Sequence, residues 1–354
     1  MRGLVLTGVG EVELRDDLPE PEIERPTDAV IEVTRTGLCG SDLHPYEGRE
    51  AARFGVVPGH EAVGVVVALG AEVGAFAIGQ RVLVPFTTSC GRCRPCRRGL
   101  SSRCVAGALF GFGDPDDLSV PPLHGAQAAY LRVPLADGTL VAVPGDLDDA
   151  AAVLLTDNLP TGWAAATRGE VRPGRRVAVV GLGSVGLCSL HASRALGAAN
   201  VVAVDPVASR RDAALALGAD LGVHPDDAEA AVLGLTDGEG VDVAIDASGA
   251  MSGQSLSARL LRPGGTLSII AVQTAPRFGV TPVEAYDRNL AIRLGRAPVR
   301  SLLDELVPRL LDGRLSVPTE MLLTHPAEPL ADGPELYARF AAREQGLVKA
   351  ALVP

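Results

Sequence analysis

The sequence contains no apolar run of the length that a membrane span needs. Its longest charge-free stretch, between Arg176 and Arg194, is interrupted by Gly181, Gly183 and Gly186 and carries Ser184, Ser189, Ser193 and His191, which makes it too short and too polar to cross a bilayer. A signal-peptide core is missing as well, because the few apolar residues after Arg2 are soon followed by Glu11, Glu13, Asp16 and Asp17. A cytoplasmic location is therefore expected. Positive charge is in deficit: 32 Lys and Arg against 43 Asp and Glu leave a net charge of -11, a field that repels phosphate backbones and makes nucleic acid a poor partner. Lysine is almost absent, Lys349 being the only one. Low-complexity tracts are lacking too, and a chain that is 47% hydrophobic and 21% charged has the composition of an ordinary globular protein, which excludes disorder as its main state. Six cysteines in a reducing compartment do not suggest a disulfide scaffold, so clustered ones point to metal.

A chain of 354 residues predicts two domains at about 100 to 200 residues each. From Met1 to about Pro144, short apolar runs such as Leu4 to Leu6, Ala29 to Val33, Ala62 to Leu69, Arg81 to Val84 and Ala128 to Val133 are separated by glycine and proline, the pattern of a β-rich domain. From about Ala150, helical Ala/Leu windows alternate with strands at Val177 to Val180, Val201 to Val204, Val241 to Ile245 and Thr266 to Val272. This alternation predicts an α/β domain with a parallel, doubly wound sheet. Beyond Arg296 the repeat fades into a helix at Ser301 to Leu311 and a closing strand near Leu347 to Val353, which are expected to return to the first domain. No long linker separates the halves, so a cleft between them is the expected place for a ligand.

Gly181-Leu182-Gly183-Ser184-Val185-Gly186 follows the strand Val177 to Val180 and opens a helix, and a second strand ends at Asp205, 19 residues beyond Gly186. This setting makes the glycine motif a dinucleotide fingerprint. Gly181 permits the tight turn, Gly183 lets backbone approach the pyrophosphate, and Gly186 lets helix and strand pack closely. The helix start then offers free N–H groups to the phosphates. A carboxylate at Asp205 accepts from ribose hydroxyls and repels a 2'-phosphate, which favours NAD over NADP, although Arg210 and Arg211 stand near enough to soften the preference.

Cys90, Cys93, Cys96 and Cys104 sit in a segment too rich in Gly, Arg and Pro for a helix or strand. Four thiolates on one short loop can close a tetrahedron around a structural zinc. Arg92, Arg94, Arg97 and Arg98 either offset that charge or form a solvated loop surface, and Cys188 reads as a small core residue. Two further segments carry potential ligands, Gly37-Leu38-Cys39-Gly40-Ser41-Asp42-Leu43-His44 and Pro58-Gly59-His60-Glu61.

With these segments, the four-cysteine loop, Gly125-Ala126-Gln127-Ala128-Ala129-Tyr130, Thr156-Asp157-Asn158-Leu159-Pro160-Thr161-Gly162 and the glycine loop in this order, the chain resembles the zinc-dependent medium-chain alcohol dehydrogenases over essentially its whole length. It looks closest to the bacterial branch that includes the glutathione-independent formaldehyde dehydrogenases. The resemblance implies a GroES-like β-rich catalytic domain over residues 1–157, completed by 297–354, and a Rossmann domain over 158–296. It implies a second, catalytic zinc on Cys39, His60 and Asp157, with Glu61 behind the metal and Asp42 holding the ring of His60. Better-known eukaryotic members have cysteine where Asp157 stands, a change zinc tolerates because carboxylate oxygen and imidazole nitrogen bind it at similar distances.

The same resemblance implies a proton path from Ser41 through the nicotinamide ribose to His44 at the surface. It places Lys349 at the cofactor phosphates or at Glu61, Thr161 and Val272 beside the nicotinamide, and Phe86 and Trp163 along the pocket or in the core. It also implies a homodimer or homotetramer pairing through the sheet edge of the cofactor domain. The expected reaction is zinc-dependent interconversion of an alcohol and an aldehyde or ketone with NAD. The alternatives are a formaldehyde dehydrogenase or dismutase acting on an aldehyde hydrate, and a biosynthetic reductase of an enal, imine or complex carbonyl. A zinc-ribbon binding module for nucleic acid or protein is disfavoured by the acidic charge and the dinucleotide fingerprint.

Overall fold

Alternating burial starts the fold. Strand β1 (Gly3–Gly8) pairs antiparallel with β2 (Glu11–Arg15), where Val12 is buried while Glu11, Glu13 and Arg15 face solvent. Strands β3 (Ala29–Leu38), β4 (Ala62–Leu69), β5 (Arg81–Val84), β6 (Tyr130–Val133) and β7 (Val141–Ala142) continue the pattern, paired antiparallel. The computed structural model describes residues 1–113, 119–275 and 277–354.

From Arg176 onward the strands become nearly continuous apolar runs, as a sheet covered on both faces requires. Strands β8 (Arg176–Val180), β9 (Asn200–Val204), β10 (Leu221–Val223), β11 (Val241–Asp246), β12 (Leu261–Ile269) and β13 (Ala291–Leu294) form a six-stranded sheet in the order β10-β9-β8-β11-β12-β13, all its pairs parallel. This is the doubly wound sheet that the helix–strand alternation predicts. The short strands β10 and β13 at its two edges carry too little pattern to be read from sequence. The chain then adds the helix Val299–Leu311, β14 (His325–Pro329), the helix Gly333–Ala341 and β15 (Ala350–Val353). β1 and β2 form a two-stranded sheet of their own, while β14 and β15 extend the sheet of β3 to β7 to seven strands, in the order β14-β15-β3-β4-β5-β7 with β6 beside β3.

The chain divides into two compact units: Met1–Asp157 with Pro298–Thr319 and Leu323–Pro354, and Asn158–Ala297 with Glu320–Leu322. Two hydrophobic clusters hold the first, one joining Leu4, Leu38 and Leu43 to Leu336, Tyr337 and Phe340, the other joining Ile31, Val66 and Val82 to Phe110 and Leu131. Val180, Val204, Leu256, Leu267 and Ile269 belong to the core of the second. No helix among the described residues is long and apolar enough to cross a membrane.

Register in the seven-stranded sheet decides what lies near what. Thr36 pairs with Ala62, and Leu38 pairs with Ala350. The residues just outside these pairs, Cys39, Glu61 and Lys349, therefore emerge at the same end of three neighbouring strands.

In the second unit the turn after β8 is made by Gly181 at φ +89°. A β-carbon on Gly186 would lie 1.8 Å from the Gly181 carbonyl oxygen, so only glycine lets the following helix approach the strand. Gly186→Val is predicted to lower unfolding free energy by about 1–3 kcal/mol through overpacking and to abolish dinucleotide binding. A urea unfolding midpoint equal to the wild type would show that the helix has room to move.

Candidate active site

Two clusters of metal-ligating side chains occur among the described residues, and in each the donor atoms all lie within 4.8 Å of one another. The first consists of Cys90, Cys93, Cys96 and Cys104, all free thiols. The Cys93 and Cys96 sulfurs are 3.4 Å apart, and those of Cys93 and Cys104 are 3.9 Å apart. Zinc bonds of about 2.3 Å at tetrahedral angles separate sulfurs by about 3.8 Å, so the set fits zinc. Backbone N–H groups of Cys96 and Val105 pull Cys93 down to about 6, while burial and the neighbouring thiols push Cys96 up to about 12. Contrary to the expectation of a plain loop, Arg94–Arg97 forms one helical turn and Ser101–Arg103 a 3-10 turn. Pro95 stands in the first turn, where its missing N–H costs nothing.

The second cluster, Cys39, His60, Glu61 and Asp157, is buried throughout. Cys39 directly follows β3, His60 and Glu61 precede β4, and Asp157 immediately precedes the helix Asn158–Arg168. The Cys39 sulfur is 3.5 Å from Asp157 Oδ2, which is 3.8 Å from His60 Nε2. His60 Nδ1 lies 3.0 Å from Asp42 Oδ1, and the other oxygen of Asp42 accepts from the Cys39 backbone N–H at 2.9 Å. With Nδ1 engaged by a carboxylate, Nε2 is the nitrogen left to face a metal.

Burial opposes charge on His60, yet Asp42 and the bonds to Asp157 and Cys39 raise its pKa well above the ordinary value. Burial raises Cys39, with Lys349 pulling the other way. Acidic donors therefore crowd one dry place, the arrangement that a divalent cation relieves. A thiolate, an imidazole and a carboxylate on one face suit zinc with a position left open.

Lys349 meets Glu61 in an ion pair with both side chains fully buried. Burial raises Glu61, and the same pairing raises Lys349 against the effect of burial. Lys349 is thus placed on Glu61, the second of its two expected positions. The Ser41 hydroxyl lies 3.2 Å from the Cys39 sulfur and 3.1 Å from His60 Nε2. Phe86 stands edge-on to the His60 ring at 6.2 Å, with Phe112 at 6.1 Å.

His44 departs from the expected surface position: it is 8% exposed, because the turn Leu43–Tyr46 folds into the core with Leu43 and Tyr46. Its ring is 3.9 Å from Glu50, and burial lowers its pKa.

In the other unit, a β-carbon on Gly183 would have open space around it, as a loop made to be approached requires. Ser184 and Val185 start the helix after it. Asp205, at the end of β9, accepts from the Leu182 N–H at 2.7 Å and the Val207 N–H at 2.8 Å, with Arg210 3.8 Å away. Arg211 donates to the Asp205 and Pro206 carbonyls. The glycine loop, its helix start and a fixed carboxylate form a cradle that fits a dinucleotide. Thr161 and Trp163 are buried on the helix Asn158–Arg168, Val272 is 47% exposed, and Cys188 is a buried core residue.

Gln127 and Tyr337 were not marked as functional by the sequence, although Gln127 stands within the Gly125 to Tyr130 segment. Both are fully buried beside Asp42. Phe112 carried no signal either.

Comparisons with known proteins place the chain in a family. Residues 25–145 match the family described as Alcohol dehydrogenase GroES-like domain, and residues 184–295 match Zinc-binding dehydrogenase. A Mycobacterium tuberculosis protein named as a probable zinc-binding alcohol dehydrogenase is 39% identical over 344 residues, covering 97% of this chain and 86% of its own. An alcohol dehydrogenase of Cupriavidus necator is 31% identical over 375 residues, covering 100% and 99%. The solved alcohol dehydrogenase TADH from Thermus sp. ATN1 superposes with a TM-score of 0.90 at 34% identity, covering 100% of this chain and 99% of that one.

Removing the cation from the buried pair tests its weight. Lys349→Met leaves the Glu61 carboxylate buried without its counter-charge and is predicted to cost about 3–5 kcal/mol of stability, with Lys349→Arg recovering part of it. A methionine variant with an unchanged denaturation midpoint would show that the pair carries no such weight.

Proposed function

The chain belongs to the zinc-dependent medium-chain alcohol dehydrogenase family, and from that premise we propose that it interconverts an alcohol and an aldehyde or ketone, with NAD as the hydride carrier. The observation that carries this reading is the buried set of Cys39, His60 and Asp157, with Asp42 behind the imidazole. Bound there, a zinc ion supplies Lewis-acid polarisation of the substrate oxygen, and the nicotinamide supplies a reversible hydride acceptor.

The chain's own residues do the rest. Asp42 fixes the tautomer and tilt of His60. Glu61 and Lys349 set the charge beneath the cluster. The Ser41 hydroxyl, in reach of both the Cys39 sulfur and His60 Nε2, holds the proton that leaves or joins the substrate oxygen. His44, whose ring faces Glu50, is the outlet of that proton toward solvent. Phe86 and Phe112 form an apolar wall beside His60 that excludes water.

Gly181, Gly183 and Gly186 cradle the pyrophosphate, with Thr161 and Val272 toward the nicotinamide. The fixed carboxylate of Asp205 favours NAD over NADP. A second zinc on Cys90, Cys93, Cys96 and Cys104 is structural, since four thiolates close its coordination. A four-cysteine zinc site suits a reducing compartment such as the cytoplasm. The edge strand β13 is the place where two copies pair into a dimer or tetramer.

Two measurements test this reading. Turnover of zinc-replete protein with NAD on aliphatic, branched, aromatic and polyol alcohols and on formaldehyde, and with NADH on the matching carbonyls, is expected to select one chemical class. Silence in both directions, with cofactor bound, would overturn the assignment. Asp205→Ser is expected to shift the ratio of kcat/KM for NAD over NADP toward NADP by at least about tenfold, corresponding to about 1.4 kcal/mol. An unmoved ratio would show that Asp205 does not read the ribose.

A further inference from the structure

Behind the imidazole and the carboxylate lies a second buried layer. Gln127 is fully buried, and its side-chain amide meets three different groups. Its Nε2 donates to the Gly37 carbonyl at 3.2 Å and reaches Asp42 Oδ2 at 3.5 Å, while its Oε1 accepts from the Tyr337 hydroxyl at 2.8 Å. The donors and acceptors allow one orientation only. A carbonyl can only accept, so the NH2 must face Gly37, and with it Asp42, and the oxygen must face Tyr337. Tyr337 must then be the donor, so its hydroxyl keeps its proton. Burial and the charge of Asp42 both raise its pKa, which agrees.

The backbone contacts of Gln127 reach the same site. Its N–H donates to the Pro58 carbonyl, two residues before His60. Gly59, between them, has φ +89°, and a β-carbon on it would meet the Gln127 side chain at 2.5 Å. Gly37 lies two residues before Cys39, and its N–H donates to the Glu61 carbonyl. One glutamine thus touches the strand end that carries Cys39, the turn that carries His60, and the carboxylate that holds His60. Tyr337 comes from the helix Gly333–Ala341, 210 residues away in sequence, and its ring packs against Tyr46 at 5.2 Å.

We propose that Gln127, aimed by the Tyr337 hydroxyl, is a positioning residue for the Cys39–His60–Asp157 metal site, acting through Asp42 on the imidazole and through Gly37 and Gly59 on the two ligand-bearing turns. The proposal rests on the reading of that cluster as a zinc site. Its physical basis is that partners behind a ligating histidine set metal affinity, and that buried polar networks fix side-chain geometry only when every member is satisfied.

The test is a stepwise zinc titration of the metal-free full-length protein against a chromophoric chelator, with the step lost in His60→Ala assigned to this site. Tyr337→Phe deletes only the hydroxyl, and Gln127→Met keeps the volume. Both are expected to weaken that step by about 10 to 100-fold while the four-cysteine step stays at the wild-type affinity. Wild-type affinity in both variants would overturn the proposal, and so would equal weakening at both steps, which marks general destabilisation. A wild-type protein with only the four-cysteine step would overturn the zinc reading itself, and the brace with it.

Discussion

The register of three strands governs the site. Leu38 on β3 is paired on one side with Ala350 on β15, and two residues back Thr36 is paired on the other side with Ala62 on β4. The next residue outward on each strand is Cys39, Lys349 or Glu61. A slip of one residue would turn alternate side chains to the opposite face and disperse the cluster. The Thr36 hydroxyl and the Gly37 N–H both donate to the Glu61 carbonyl, which pins the register where it matters. The buried charges need this rigidity. Asp42, Glu61, Asp157 and the Cys39 thiol share a dry volume with Lys349 as the one permanent cation among them, so a divalent cation is the natural complement.

The two ligand clusters differ in kind. Cys90 to Cys104 gather on one loop with short helical turns, so that cluster needs little from the rest of the chain. Cys39, His60 and Asp157 come from separate segments and are held by a carboxylate, an amide and the ends of neighbouring strands. The first can close a tetrahedron with sulfur alone and suits a structural ion. The second offers donors of different chemistry, a thiol, an imidazole and a carboxylate, the mixed set that catalytic zinc sites use.

What the sequence made legible follows the same division. Local spacing carried the cysteine loop, the glycine loop and Asp205, because their chemistry is written within about thirty residues. The helix–strand alternation carried the parallel sheet but not its short edge strands β10 and β13. Cys39 and His60 were legible only as potential ligands on two separate segments, and it took the resemblance to group them with Asp157, since sheet register and the start of the helix Asn158–Arg168 bring them together only in the fold. Lys349 could be assigned to Glu61 only once β15 was seen beside β3. Tyr337 left no sequence signal and Gln127 stood out only as part of the Gly125 to Tyr130 segment, because the bond that gives them a role spans 210 residues. His44 was misplaced at the surface because its short helical turn packs inward with Tyr46, a tertiary choice that local pattern does not encode.

As proposed, the mixed cluster of Cys39, His60 and Asp157 holds the metal that carries the chemistry. The most direct measurement is metal content and alcohol turnover of Cys39→Ser beside the wild type, with dinucleotide binding as the control for folding. Two zinc ions per chain are expected in the wild type and one in the variant, with turnover lost and dinucleotide binding retained. A variant that keeps near-normal turnover would contradict the proposal.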